Sequence, residues 1–364
     1  SADSGGCYPW PWPWLEKKDG IVKRIALFDV DSAIPNLALM KLSAYHRMIG
    51  DVVEPYIPLE KPFYDKIYAS KIFKFSDGSM LDPNTMRIGG SGWNLEDELS
   101  AEVDAMIPDY SLYNYPHNIG FTMRGCRLKC SFCVVPEKEG KPSSVSTIDE
   151  LWTQRDSDFL MLLDNDFFGN PDWAERIEEI KAHNLSVNFS QGLNIRNLKP
   201  EQAAAVASVR FRNMRGTGKQ VHFAWDDPRH EKLIHKGIQT CVAAGIKTYQ
   251  MAFYVLIGYH STIEQDLHRV EMLRSYGCDS YVMPYDKTDE YQRRFARWVN
   301  HKAIFKSVKW EDYSQGIKRL TYNENQTEMF SDESWARSRL EEEDGSMKVL
   351  DLLIKLDYYY RNKK

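Results

Sequence analysis

Ile119-Gly120-Phe121-Thr122-Met123-Arg124-Gly125-Cys126-Arg127-Leu128-Lys129-Cys130-Ser131-Phe132-Cys133 is the stretch from which the rest of the chain is best read. An apolar segment of strand length, Ile119–Met123, runs straight into a polar loop that holds three cysteines within eight residues. The strand-then-helix pattern recurs downstream, with strand candidates at Phe159–Leu163, Ser186–Ser190, Val221–Trp225, Tyr249–Ile257 and Tyr281–Met283. Helical spacing lies between them, for example Ile263, Leu267, Val270 and Leu273. Strands alternating with helices imply a parallel sheet, and six such repeats predict a partial or full (β/α)6 barrel over residues 106–287 rather than a sandwich. Polar residues stand where the strands end: Arg124, Asp164 to Asp166, Gln191, Asp226, Asp227, Gly258 and Tyr285. Ligands of parallel α/β folds bind at the carboxyl ends of strands, so a site is located before its chemistry is known.

Upstream, Arg24–Val30 reads as a strand and Asn36–Ile49 as a helix with Leu37, Met40, Ala44 and Met48 on one face and Gly50 as its C-cap. Further strands are expected at Val52–Ile57, Lys66–Phe73 and Met86–Gly89. Residues 21–105 therefore predict a small doubly wound, Rossmann-like α/β domain, joined by a linker from Pro108 to Pro116. Residues 288–364 read as a helical C-terminal region, with a cationic helix at Tyr291–Trp310, an acidic run at Glu341–Asp344 and a last amphipathic helix at Met347–Tyr360. Residues 1–20 form a Pro/Trp-rich arm whose alternating prolines forbid a helix and display Trp10, Trp12 and Trp14. Such an arm docks on another surface, packs on its own domain, or is a processing remnant.

Charged residues make up 27% of the 364 positions and hydrophobic ones 43%, which excludes a disordered chain. No apolar run approaches the ~20 residues of a membrane helix. A net charge of −5 argues against a protein that coats nucleic acid or anionic membrane over its whole surface. Six cysteines are too few for a disulfide framework, and no secretory leader is seen, so a reducing cytoplasm is the expected compartment.

Three thiols at spacings of four and three residues wrap one side of a soft metal or an iron–sulfur cluster. The loop offers no fourth thiolate, so a 4Fe-4S cluster held by Cys126, Cys130 and Cys133 keeps one iron open to a small ligand. Closed tetrahedral zinc needs a fourth ligand, and the nearest histidine, His117, precedes the strand while the cysteines follow it. Arg124, Arg127 and Lys129 are expected to favour the thiolates. Cys241 and Cys278 read as structural.

Cys-x3-Cys-x2-Cys with an aromatic before the last cysteine resembles the signature of the radical S-adenosylmethionine (SAM) superfamily, and the resemblance extends over about residues 118–286. It implies that the open iron chelates the amino and carboxylate groups of SAM. One electron then cleaves SAM to methionine and a 5′-deoxyadenosyl radical, which takes hydrogen from substrate. It also implies cofactor contacts at Phe132, beside the adenine, and at Asp164 or Asp166, in place of the family's Gly-Gly-Glu. Further contacts are implied at Gln191, Asp226, Gly258 and Tyr285, while an external electron donor is required.

A doubly wound domain ahead of such a barrel resembles the cobalamin-binding members of the superfamily. Gly89-Gly90-Ser91-Gly92 would let a nucleotide tail approach the backbone. The cobalt-ligating histidine pattern is absent, since Asp31-Ser32-Ala33-Ile34-Pro35-Asn36 stands in its place. Cobalamin-dependent C-methylation is accordingly the second reading. Methylthiolation is disfavoured, because Cys7 is the one cysteine ahead of the barrel. Basic stretches at Arg210–Lys219 and Tyr291–Trp310 tilt the expected substrate toward a nucleotide or nucleic acid. The reading from another class is a non-catalytic iron–sulfur protein that binds a partner through its basic surface.

Overall fold

The computed structural model describes residues 21–313; the N-terminal arm with Trp10, Trp12 and Trp14, the acidic run and the final helix lie outside the described residues. The chain is mixed α/β with parallel sheets. It divides into two compact units, with the break between Ala296 and Arg297, nine residues beyond the expected boundary at 287.

The first sheet is parallel throughout, in the order Val52–Pro55, Arg24–Asp29, Lys66–Ser70 and Arg87–Gly89. The helix Leu37–Met48 connects its first two strands, and the Asn36 side chain caps it by accepting from the Leu39 N–H. Its buried face is Leu39, Met40, Leu42, Ser43 and His46 rather than the face through Met48, which is exposed. Two sheets explain the difference. Leu39 and Leu42 pack on Ile25, Leu27, Val53 and Tyr68 of the first sheet. Met40 packs instead with Ile119, Phe159, Met161 and Leu163 of the second.

That second sheet is also parallel, ordered Arg210–Phe211, Ser186–Phe189, Phe159–Leu162 and Asn118–Gly120. A third holds Val221–Ala224, Met251–Ile257 and Asp279–Pro284 in sequence order. A single parallel bridge, Leu193 to Phe223, links the two. Both inner strands are buried at every position, Phe159–Leu162 as a continuous apolar run and Ser186–Phe189 with Ser186 and Asn188 buried among apolar neighbours. The expected strand Ile119–Met123 is broken, because Met123–Arg124 leaves the sheet to pair antiparallel with Ser143–Ser144. The sequence pattern does not reveal the edge strand Arg210–Phe211, which is two residues long and flanked by Arg212.

The Tyr291–Trp310 segment forms two helices, Glu290–Asn300 and Lys302–Ser307, the second capped by His301. In the second unit the Trp298 ring packs edge-on against Phe305 at 4.9 Å, and its N–H donates to the Val308 carbonyl at 2.9 Å. Those aromatics fill a core rather than face a partner.

His46 is buried between Asp51, whose Oδ2 is 2.8 Å from Nδ1, and the Tyr68 hydroxyl, 3.0 Å from Nε2. Burial lowers its pKa below the ordinary 6.5, against the pull of Asp51. The unfolded chain therefore binds more protons than the folded one just below that value, and stability falls as pH drops through the window. His117 and His230 are lowered in the same sense, chiefly by burial. Melting temperature is expected to fall between pH 7.5 and 6, and His46→Asn should flatten part of that slope. An unchanged slope in the variant would remove His46 from the account.

Candidate functional site

The cysteine loop begins at Gly125, whose φ of 81° lies in the left-handed region and whose missing Cβ leaves room for the Lys141 carbonyl. Glu139 ties down its entry: one carboxylate oxygen accepts from Arg124 Nη1 at 3.2 Å, the other from the Gly125 N–H and Asn165 Nδ2, both at 2.9 Å. Cys126, Cys130 and Cys133 are free thiols, each half-buried. The Cys133 N–H donates to the Cys130 carbonyl at 3.0 Å, so the last two cysteines share one tight turn.

Two buried carboxylates at the end of the Phe159–Leu162 strand hold this loop in place. Asp164 accepts from the N–H groups of Thr122 (2.7 Å) and Met123 (3.3 Å) and from the Thr122 hydroxyl. Burial nevertheless pushes its pKa up to about 6. Asp166, 1% exposed, takes the Arg127 guanidinium bidentately at 2.6 and 2.8 Å. Asp164 and Asp166, the two carboxylates expected to meet the SAM ammonium, thus both serve as anchors of the loop.

The basic residues do not activate the thiols as expected. Arg127 is engaged by Asp166, and Arg124 by Glu139 and the Phe121 ring. Burial pushes the Cys126 thiol up to about 11 and raises Cys133 as well.

Cys130 and Phe132 line a cavity of about 270 Å³ together with Asp226, Tyr259, Arg196 and His230. Phe132 meets Tyr259 edge-on at 5.4 Å, and the Tyr259 hydroxyl donates to Ser131 Oγ at 2.8 Å. Tyr285, more than half exposed, packs on the other side of Tyr259 at 4.7 Å. Tyr259 thus carries the fifth strand's end onto the cysteine loop. Asp226 accepts one bond, from the Leu256 N–H at 3.3 Å, and burial raises its pKa. Asp227, by contrast, is chelated by Arg229 and drops to about 2. Gly258 has φ of 74°, and a Cβ there would collide with the Gln292 side chain. Gln191 is exposed and is not among the cavity residues. Arg196 and His230 carry no motif, for they sit in short turns.

Among the described residues no group of three or more His, Cys, Asp or Glu side chains is gathered closely enough to hold a metal ion. The donor set itself fits an iron–sulfur cluster. Three soft, disulfide-free thiols sit within electrostatic reach of one another, Cys126 feeling both Cys130 and Cys133. Their repulsion as thiolates is what iron would relieve, and binding requires their side chains to turn inward.

Cobalamin fits poorly. The missing Cβ positions of Gly90 and Gly92 are filled by the backbone of Lys71 and Phe73, so these glycines serve chain packing. At the point where strand order reverses, the Tyr113 hydroxyl donates to Asp29 at 2.5 Å and Asn36 Nδ2 to Ser70 at 2.8 Å. Asp31 accepts from the Ile72 and Phe73 N–H groups. The Arg210–Lys219 stretch is likewise structural in part: Arg210 pairs with Asp158 at 2.7 Å, and Lys219 lies over Phe211. Cys241 and Cys278 are buried, their thiols pushed up to about 12.

No protein-family model matches the chain, and no curated protein matches it at a significant level.

Two outcomes follow from the anchoring. Arg127→Ala leaves a buried carboxylate without its partner and should cost about 1–3 kcal/mol, discounted because Arg127 itself is partly exposed. A melting temperature within a degree of wild type would contradict it. Gly258→Ala should lose about 1–3 kcal/mol through its positive φ and the Gln292 clash, read by denaturant midpoint.

Proposed function

We propose that the chain is a radical SAM enzyme acting on a nucleotide or nucleic-acid substrate. One observation carries the reading: three free thiols on a single loop, at the carboxyl ends of parallel strands, beside a cavity that the partly buried Asp226 carboxylate shares. Residues 21–105 would be the doubly wound domain and 106–287 a partial (β/α)6 barrel. The four-stranded and three-stranded parallel sheets, joined at Leu193 and Phe223, support that division.

Cys126, Cys130 and Cys133 would hold the 4Fe-4S cluster. When bound, it would supply the electron that cleaves SAM, drawn from an external reductant. The chain's own residues orient and exclude. Asp226 is the carboxylate left to accept from an ammonium group, since it takes only one backbone bond and its charge is poorly solvated. Phe132 and Tyr259 form an aromatic wall that shields the cavity and offers faces for an adenine. Gly258, with its positive φ and Gln292 packed against it, lets the fifth strand's end turn beside that wall. The Asp164 and Asp166 anchors fix the loop from below, so that closure on the cluster is a movement of thiols rather than of the main chain.

Anaerobic reconstitution with iron and sulfide, followed by SAM and dithionite, should yield 5′-deoxyadenosine detectable by mass spectrometry. Cys126→Ala should abolish it. A fully loaded protein that neither binds SAM by calorimetry nor releases the nucleoside would replace this reading with that of a non-catalytic iron–sulfur protein.

A further inference from the structure

Arg196 stands in the short turn Ile195–Asn197 that follows the third barrel strand, and nothing in the reading above uses it. Asn194 Oδ1 accepts from its backbone N–H and from its Nε, both at 3.2 Å, which fixes the direction of the guanidinium. Its Nη1 lies 3.3 Å from His230 Nδ1. An arginine only donates, so His230 Nδ1 accepts and the neutral ring carries its proton on Nε2, a second donor. Both residues line the cavity beside Cys130, as does Lys129.

The charges there are unbalanced. Arg229 and Asp227 neutralise each other through a bidentate pair. Lys129 and Arg196 remain against Asp226 alone, and neither makes an ion pair with a carboxylate among the described residues. His260, with φ of 50°, adds a further nitrogen base to the lining. A cavity with surplus cations and an imidazole N–H is suited to an anion.

We propose that Arg196 and His230, with Lys129, form a subsite for a phosphate group of the substrate. Three donors from three separate chain segments can each take one oxygen of a phosphate monoester, whereas a carboxylate offers two oxygens in one plane. The assignment rests on the proposed function only in calling the bound molecule the substrate.

Calorimetry on the full-length, cluster-free protein tests it, with inorganic phosphate as probe and acetate at matched ionic strength as the carboxylate arm. Phosphate should bind at one site, at least about tenfold more tightly than acetate. Arg196→Ala should weaken it at least about tenfold, the loss of one charge-assisted hydrogen bond. His230→Ala should weaken it several-fold at an unchanged melting temperature. Should Arg196→Ala fold poorly, Lys129→Ala on the cysteine loop gives the same test. Equal binding of phosphate and acetate, or full phosphate affinity in the variants, overturns the subsite. Because no cluster or SAM is present, that failure leaves the deoxyadenosine assay untouched, and a negative deoxyadenosine assay leaves phosphate binding to be judged on its own.

Discussion

Two carboxylates buried at the end of one strand bear most of the arrangement around the cysteine loop. Asp164 gathers the Thr122 and Met123 amides, and Asp166 gathers the Arg127 guanidinium. A buried charge is costly unless it is fully hydrogen-bonded, and the loop supplies the bonds that these carboxylates require. The constraint runs both ways. The strand end is tolerable only with the loop folded over it, and the loop has one conformation because the carboxylates select it. The break in the first strand at Phe121 to Thr122 has the same origin, since the amides that leave the ladder there turn to Asp164.

Around that anchor the molecule divides its polar groups into those already satisfied and those still able to bind. Asp164, Asp166, Glu139 and Asp227 each hold a chain segment or a cation in place. Asp226, Arg196, His230 and Tyr259 face the cavity with capacity remaining. The glycines serve the chain in one way: Gly258 makes room for the Gln292 side chain, and Gly90 and Gly92 for the backbone of Lys71 and Phe73. Residues 21–296 form one unit because the helix Leu37–Met48 is buried on two sides, giving Leu39 to one sheet and Met40 to the next. A helix with neighbours on two sides has no simple amphipathic stripe, which is why its spacing pointed toward Met48.

Periodicity, apolar runs and thiol spacing are local properties, and they carried the sequence reading far. The order of α and β elements, the parallel sheets, the helix after the first strand and the cysteine loop after Met123 were all legible in residue order alone. So was the gathering of polar residues at strand ends, because a buried apolar run must finish where its backbone meets solvent or a site. What residue order could not decide is which of those polar groups bond to one another. Asp164, Asp166 and Asp226 look alike in sequence, yet two carry several bonds from the chain and the third a single one, from partners between 30 and 42 positions away. The nitrogen donors of the cavity are equally mute in sequence. Arg196 and His230 acquire meaning only when two turns, 34 residues apart, bring a guanidinium to an imidazole. Hydrogen-bond partnership over such separations is set by packing, so tertiary structure alone determined which residues hold the site and which remain free to use it.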